Sequence, residues 1–183
     1  MRDAVGIVLA AGAGRRFGAP KALAVLDGER LVDRAVRLLR AGGCAPVCVV
    51  TGAADVGAVA ADVVLNPLWR SGMGSTLQAG LHWAATTSGE CAVVALVDTP
   101  WIGAEAVLRL RSTPGHAVQA SYDCVPGHPV LLARPVWTDV AELAVGDAGA
   151  RAWLRANGSD VVRVDCTGTG DPRDVDRPED LLG

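Results

Sequence analysis

A short apolar run, Ala4 to Leu9, leads directly into Ala10-Ala11-Gly12-Ala13-Gly14-Arg15-Arg16-Phe17-Gly18-Ala19-Pro20-Lys21. The run has the length and composition of a buried strand. Glycine lets the chain turn tightly after it and lets backbone approach a ligand closely. Two arginines and a lysine lie within reach of that turn. Backbone N–H groups can point at phosphate oxygens while the cations neutralise them, so the segment suits a polyphosphate.

The spacing separates this loop from other phosphate loops. A dinucleotide fingerprint needs a glycine three residues after Gly14, where Phe17 stands. A P-loop needs Gly-Lys-Ser/Thr, and Lys21 follows Pro20.

Downstream, elements alternate. Arg30 to Ala41 places Leu31, Val32, Ala35, Val36 and Leu39 on one helical face, and Gly42-Gly43 ends it. Pro46 to Thr51 and Asp62 to Leu65 read as strands, and Gly74 to Ala85 as a helix. Cys91 to Val97 is an unbroken apolar run, expected as a central parallel strand. Ala104 to Leu110 is expected as a helix. Ala117 to Ser121, Val130 to Leu132 and Val161 to Val164 read as strands. Pro135 to Ala144, Ala148 to Ala156 and Pro178 to Leu182 read as helices. Alternation of this kind predicts an α/β fold: one Rossmann-like three-layer sandwich over residues 1–183, with a mostly parallel sheet. Ligands of such sheets gather at the carboxyl ends of the strands. The glycine loop and the residues after Val97 then share one edge.

Composition narrows the partners. With half of 183 residues apolar and few aromatics, the core is built mostly from Ala, Val and Leu. A net charge of −3 argues against a general binder of nucleic acid or membrane surfaces. No stretch approaches the roughly 20 apolar residues of a membrane span. Met1-Arg2 before an apolar run loosely mimics a secretion signal, but Asp3 neutralises the charge and the run is short. A first core strand and a cytoplasmic location are expected. The five cysteines are scattered without a C-x-x-C pair and are read as small core residues.

Five further segments carry candidate chemistry. Asp98, after the central strand, can hold Mg²⁺, or it can cap the following helix. Asn66 to Leu81 is a glycine-rich loop entering a helix. Ser75 and Gln78 have capping-box spacing there, so structural and ligand roles are balanced. Gly127-His128-Pro129 reads as a turn whose histidine donates to a phosphate or braces the loop. In Gly146-Asp147-Ala148-Gly149-Ala150-Arg151, Asp147 is read as a helix cap and Arg151 as reaching an anionic substrate. Near the C-terminus Asp174 and Asp176 share a face if extended, and either can join Asp98 on a metal.

Together these segments resemble the molybdenum cofactor cytidylyltransferase branch of the nucleotidyltransferase superfamily, from end to end. The branch pattern comprises L-A-A-G-x-G-x-R-[FM]-G-x-P-K and N-P-x-x-x-x-G-M-x-x-S/T-L-x-x-G-L. It continues with D-x-P after a central strand, G-H-P, G-D-x-G-A-R and D-x-D-T-P-E-D. The resemblance implies a fold like that of nucleotide-diphospho-sugar transferases, Mg²⁺, and transfer of CMP from CTP to the molybdopterin cofactor with release of pyrophosphate. It implies Arg16 and Lys21 as triphosphate clamps, and Ala11, Gly12, Gly14 and Arg15 as further nucleotide contacts. Asp98 corresponds to the metal aspartate and Asp176 to a second ligand. Ser75 corresponds to a base-reading position, and His128, Asp147 and Arg151 face the cofactor half. The chain departs from the branch at Arg177, where threonine is usual, and at Cys124 and Val125, where polar residues are typical. GTP as nucleotide and a sugar or alcohol phosphate as acceptor stay open. So does a non-catalytic role delivering cofactor to a molybdenum hydroxylase, an enzyme that members of the branch contact.

Overall fold

A computed structural model describes residues 1–182. The first apolar run is strand β1 (Ala4–Leu9), followed by a hairpin of β2 (Val25–Leu26) and β3 (Glu29–Arg30). Helix α1 (Leu31–Ala41), β4 (Val47–Thr51) and β5 (Asp62–Leu65) come next. Helix α2 (Met73–Ala85), β6 (Cys91–Leu96) and α3 (Ala104–Ser112) complete the nucleotide-type half. The remainder is β7 (Ala117–Tyr122), β8 (Val125–Ala133), α4 (Trp137–Leu143), α5 (Arg151–Ala156) and β9 (Val161–Asp165).

Seven strands form one sheet in the order β5-β4-β1-β6-β8-β7-β9. Strand β8 runs antiparallel to both its neighbours, and every other pairing is parallel. The expected mostly parallel α/β sandwich is therefore the observed one. Strand β1 is buried along its whole length because each face meets a different helical layer. Ala4 and Val8 join Leu31, Leu39, Val107 and Leu110 of α1 and α3. Val5, Ile7 and Leu9 join Leu77, Leu81, Trp137 and Trp153 of α2, α4 and α5. Burial on both faces is why its sequence is continuously apolar. Among the described residues, no helix is long and apolar enough to cross a membrane.

Three expectations change. The helix read over Ala148 to Ala156 is a 3₁₀ turn, Gly146–Ala148, followed by α5 from Arg151. Gly149 separates them at φ +52°, a left-handed conformation that ends helical continuity. The helix read over Pro135 to Ala144 likewise divides into a 3₁₀ turn, Arg134–Val136, and α4. The third change matters for function: Gly127-His128-Pro129 is not a turn but part of β8. Its pairing with β7 shifts between Gln119↔Val130 and Ser121↔Pro126, so three residues of β8 oppose Ala120 alone. A bulge of this kind removes the need for ladder N–H groups, admits proline within a central strand, and re-aims side chains.

Because β8 is antiparallel, its beginning lies at the edge where β1 and β6 end. The glycine loop, Asp98 and the bulge thus meet at the carboxyl edge of the parallel strands.

Candidate active site

The loop after β1 closes on itself, with the Gly18 N–H donating to the Gly14 carbonyl at 2.7 Å. Gly14 sits at φ +62°, and a Cβ there would lie 1.9 Å from the Ala19 carbonyl oxygen. Only glycine fits that position. The loop ends in a 3₁₀ turn, Lys21–Leu23, pinned by Ala22, which is 1% exposed. This anchor aims the Lys21 side chain back across the loop.

Lys21 Nζ donates to Asp98 Oδ2 at 3.0 Å and to Asp176 Oδ1 at 3.2 Å. Arg16 donates to the other oxygen of Asp176 at 3.0 Å. Burial opposes the charge on Lys21, but the two carboxylates outweigh it and raise its pKa above the ordinary lysine value. Asp176 is held below the usual carboxylate range, first by the hydrogen bond from Lys21 and then by the charges of Lys21 and Arg16.

Asp98 does not cap the next helix, which begins at Ala104 behind Gly103. Its backbone carbonyl accepts the Val175 N–H at 2.8 Å, and Val175 is fully buried. That contact draws the C-terminal segment onto the site and selects Asp176, rather than Asp174, as the carboxylate beside Lys21. Asp180 Oδ2 accepts the N–H groups of Asp176 and Arg177 at 2.8 and 2.7 Å. The sequence reading assigned Asp180 no role. The bond from Arg177 is the N3 half of a capping box, in which the N3 carboxylate satisfies the N-cap N–H.

Lys21, Arg16, Asp98 and Asp176 line a cavity of about 430 Å³ together with Ala11, Gly12, Arg15, Asp147 and Thr76. Asp147 was expected as a helix cap facing the cofactor half. It lies instead in the 3₁₀ turn, caps nothing, and borders this first cavity. Ser75 also departs from expectation. It is 9% exposed, and its hydroxyl donates within the loop toward the Leu68 and Gly72 carbonyls. It accepts from buried Asn66, which also holds Thr76. Gly72 caps α2 without a side-chain hydrogen bond, so the Ser75–Gln78 capping box does not form. Gln78 ties α2 to the Ala141 and Ala144 carbonyls instead. Trp69, Arg70, Met73 and Thr76 line the cavity and were missed individually. The polar loop containing them was the available signal.

A second cavity, of about 480 Å³, joins the first along Leu9, Met73 and Leu96. It contains His128 of the bulge and Arg151 of α5. His128 Nδ1 lies 3.5 Å from the Val94 carbonyl oxygen, and burial presses its pKa below the ordinary histidine value. The Tyr122 hydroxyl donates to the His128 carbonyl at 3.0 Å and steadies the bulge.

The donor set bears on a metal. Among the described residues no group of three or more His, Cys, Asp or Glu side chains is placed to hold one. Two carboxylates flanking a single cationic position, beside a phosphate-type loop, fit Mg²⁺ bound jointly with substrate phosphates, because Mg²⁺ takes one or two carboxylates and leaves its other positions to water and phosphate.

Comparison with known proteins identifies the family. The chain is 38% identical to nicotine blue oxidoreductase of Paenarthrobacter nicotinovorans, over 96% of this chain and 93% of that protein. It is 32% identical to molybdenum cofactor guanylyltransferase of Rhodobacter capsulatus, over 96% and 92%. The crystal structure of the Rv0371c homologue from Mycobacterium sp. strain JC1 superposes with a TM-score of 0.81 at 31% identity, covering 98% of this chain and 93% of that one. Residues 6–161 match the model of the MobA-like NTP transferase domain, so the chain is a nucleotidyltransferase of that family.

Proposed function

We propose that this enzyme transfers CMP from CTP to a molybdopterin-type cofactor. The carrying observation is Lys21 bridging Asp98 and Asp176 at the mouth of the glycine loop. In this reading the N–H groups of Gly12 to Gly14 hold the triphosphate, with Arg15 and Arg16 beside it. Lys21 neutralises charge at the α-phosphate, and Asp98 and Asp176 hold Mg²⁺. The metal, when bound, polarises the phosphoryl oxygens and offsets their charge.

The acceptor sits in the second cavity with its terminal phosphate at the junction. A phosphate oxygen attacks the α-phosphorus, a new P–O–P linkage forms, and the bond to the departing pyrophosphate breaks. The attacking group is already anionic, so the chain need supply no general base. Catalysis is positioning and charge neutralisation. His128 and Arg151 orient the acceptor. We also place the reaction in the cytoplasm, with the product handed to a molybdenum hydroxylase.

Two observations keep second readings in view. A relative named as a guanylyltransferase favours GTP in the same mechanism. A relative named as an oxidoreductase, alike along nearly the whole chain, favours redox chemistry in the same fold. One experiment separates them: pyrophosphate release with Mg²⁺ and molybdenum cofactor, comparing CTP, GTP, ATP and UTP, alongside oxidation of NADH and NADPH with a quinonoid dye. Release with CTP is the expected result. GTP preference moves the enzyme to guanylyl transfer, and reduced-nucleotide oxidation without pyrophosphate release overturns the proposal.

A further inference from the structure

The second cavity holds more positive charge than a single reacting phosphate requires. Arg151 and Arg155 of α5 and Arg163 of β9 all line it, and its lining contains no carboxylate. Six arginines elsewhere form ion pairs with Asp or Glu: Arg16, Arg30, Arg34, Arg37, Arg109 and Arg173. Among the described residues the three cavity guanidiniums form no ion pair, as others such as Arg40 and Arg70 do not; what sets them apart is that they converge on one cavity whose lining has no carboxylate.

Their placement works against the local structure. Arg151 and Arg155 stand four apart on a helix of six residues, where like charges repel. Arg151 also opens that helix, at the end where the dipole disfavours a cation. Arg163 comes from a different element. It pairs in register with Gln119 of β7, which lines the same cavity and donates to the Gly127 carbonyl at 3.4 Å. Helix and sheet thus deliver cations to one space from two sides.

None of the three lines the first cavity, where Lys21, Arg15 and Arg16 stand. They stand apart from the cations of the first cavity, in the space beyond the junction. We propose that Arg155 and Arg163, with Arg151, form a distal oxyanion subsite, and that the acceptor carries a second anionic group at the end away from its reacting phosphate. Guanidinium groups suit this because their paired N–H donors match two oxygens of one oxyanion. The subsite rests on the reading of the second cavity as the acceptor site. It deepens that reading by choosing an acceptor whose far end is anionic, such as a metal-oxo group, over one that ends in a neutral ring or alcohol.

The test uses inorganic tungstate as probe, titrated calorimetrically into the enzyme with CTP and Mg²⁺ saturating, so that the first cavity is filled. Wild type is expected to bind one tungstate, and R155A/R163A to bind it at least about tenfold more weakly. R155K/R163K, which keeps charge but not the planar fork, is expected to fall between them. Equal binding by wild type and R155A/R163A, or no binding by wild type, overturns the subsite.

Turnover gives the second arm. With molybdenum-loaded pterin phosphate as acceptor, R155A/R163A is expected to raise the acceptor KM by about tenfold or more and leave the CTP KM unchanged. With metal-free pterin phosphate the two enzymes are expected to differ less. An equal loss on both acceptors overturns the distal placement. If wild type transfers nucleotide to neither pterin, the functional proposal fails on its own, and the tungstate result still decides whether the subsite exists.

Discussion

Replacing Asp98 with Asn separates catalysis from stability at the centre of the site. The change keeps side-chain shape and removes one of the two carboxylates that face Lys21. The ion pair it breaks spans 3.0 Å, a gross attraction of about 5–6 kcal/mol at an effective dielectric of about 20. Most of that is offset, because forming the pair strips water from both groups. The side chains also stay 15% and 24% exposed. The asparagine oxygen can still accept from Lys21, and Asp176 remains as a counter-ion. The expected loss of folding stability is about 1 kcal/mol.

The rate is expected to respond differently. A carboxylate that holds a metal against the reacting phosphates supplies charge stabilisation only in the presence of substrate. Its removal is expected to lower kcat/KM about a thousandfold, roughly 4 kcal/mol of transition-state stabilisation. The assay pairs pyrophosphate release with urea unfolding of the same preparations. A variant retaining more than about a tenth of wild-type turnover refutes the metal role. One losing several kcal/mol of stability in proportion to its rate refutes the separation of roles.

The same variant makes a pH prediction. The fold raises the pKa of Lys21, so the stability from its charge is complete below the unfolded value of about 10.4 and is lost as pH rises through the folded value. Asp98 is the first of the groups raising it. The difference in Tm between wild type and Asp98→Asn should stay constant through neutral pH and shrink in strongly alkaline solution.

Three further outcomes are expected. Gly14→Ala forces a Cβ within 1.9 Å of a backbone oxygen at φ +62°. It should cost about 2 kcal/mol or more and abolish nucleotide binding, whereas Gly12→Ala meets nothing within 4 Å and should fold normally while binding nucleotide less tightly in a titration. Of the five cysteines, only Cys124 is exposed, and burial pushes the Cys44 thiol up to about 12. A thiol reagent should therefore label one group in the native protein and five after denaturation. Asp180→Ala frees the N–H groups beside Asp176, so the variant should need more Mg²⁺ for half-maximal activity with an unchanged Tm. An unchanged Mg²⁺ requirement would deny Asp180 its positioning role.

Local patterns made the nucleotide half legible in the sequence. Strand, glycine turn and lysine are contiguous, and β1 declares itself by burial on both faces. The start of α3 near Ala104 was legible and already set Asp98 too far ahead of that helix to cap it, whereas the hold of Val175 on the Asp98 carbonyl, which brings Asp176 to the site, is a tertiary fact. Two hairpin turns were also missed. Asp27-Gly28, with both residues at positive φ, carried a familiar turn signal between β2 and β3. Asp123-Cys124 did not: both residues sit at positive φ, but the second is cysteine in a position that favours glycine. That substitution hid the start of β8 and made the His128 segment look like the turn itself.

The second cavity resists sequence reading for a physical reason. Its residues come from a bulge, a six-residue helix and an outer strand, none with a periodic apolar stripe long enough to declare itself. Its charges are exposed arginines, which in sequence look like any solvated face. They acquire meaning only when β8 reverses direction and brings its bulge to the edge where β1 and β6 end. One antiparallel strand in an otherwise parallel sheet thereby sets the second cavity beside the first. The glycine loop, Arg15, Arg16 and Lys21 of the first cavity are near each other in sequence, whereas the second cavity gathers side chains from β7, β8, α5 and β9. If the second cavity takes the acceptor as proposed, acceptor choice can vary through the outer residues of α5 and β9 without disturbing the glycine loop, Lys21 or the two carboxylates.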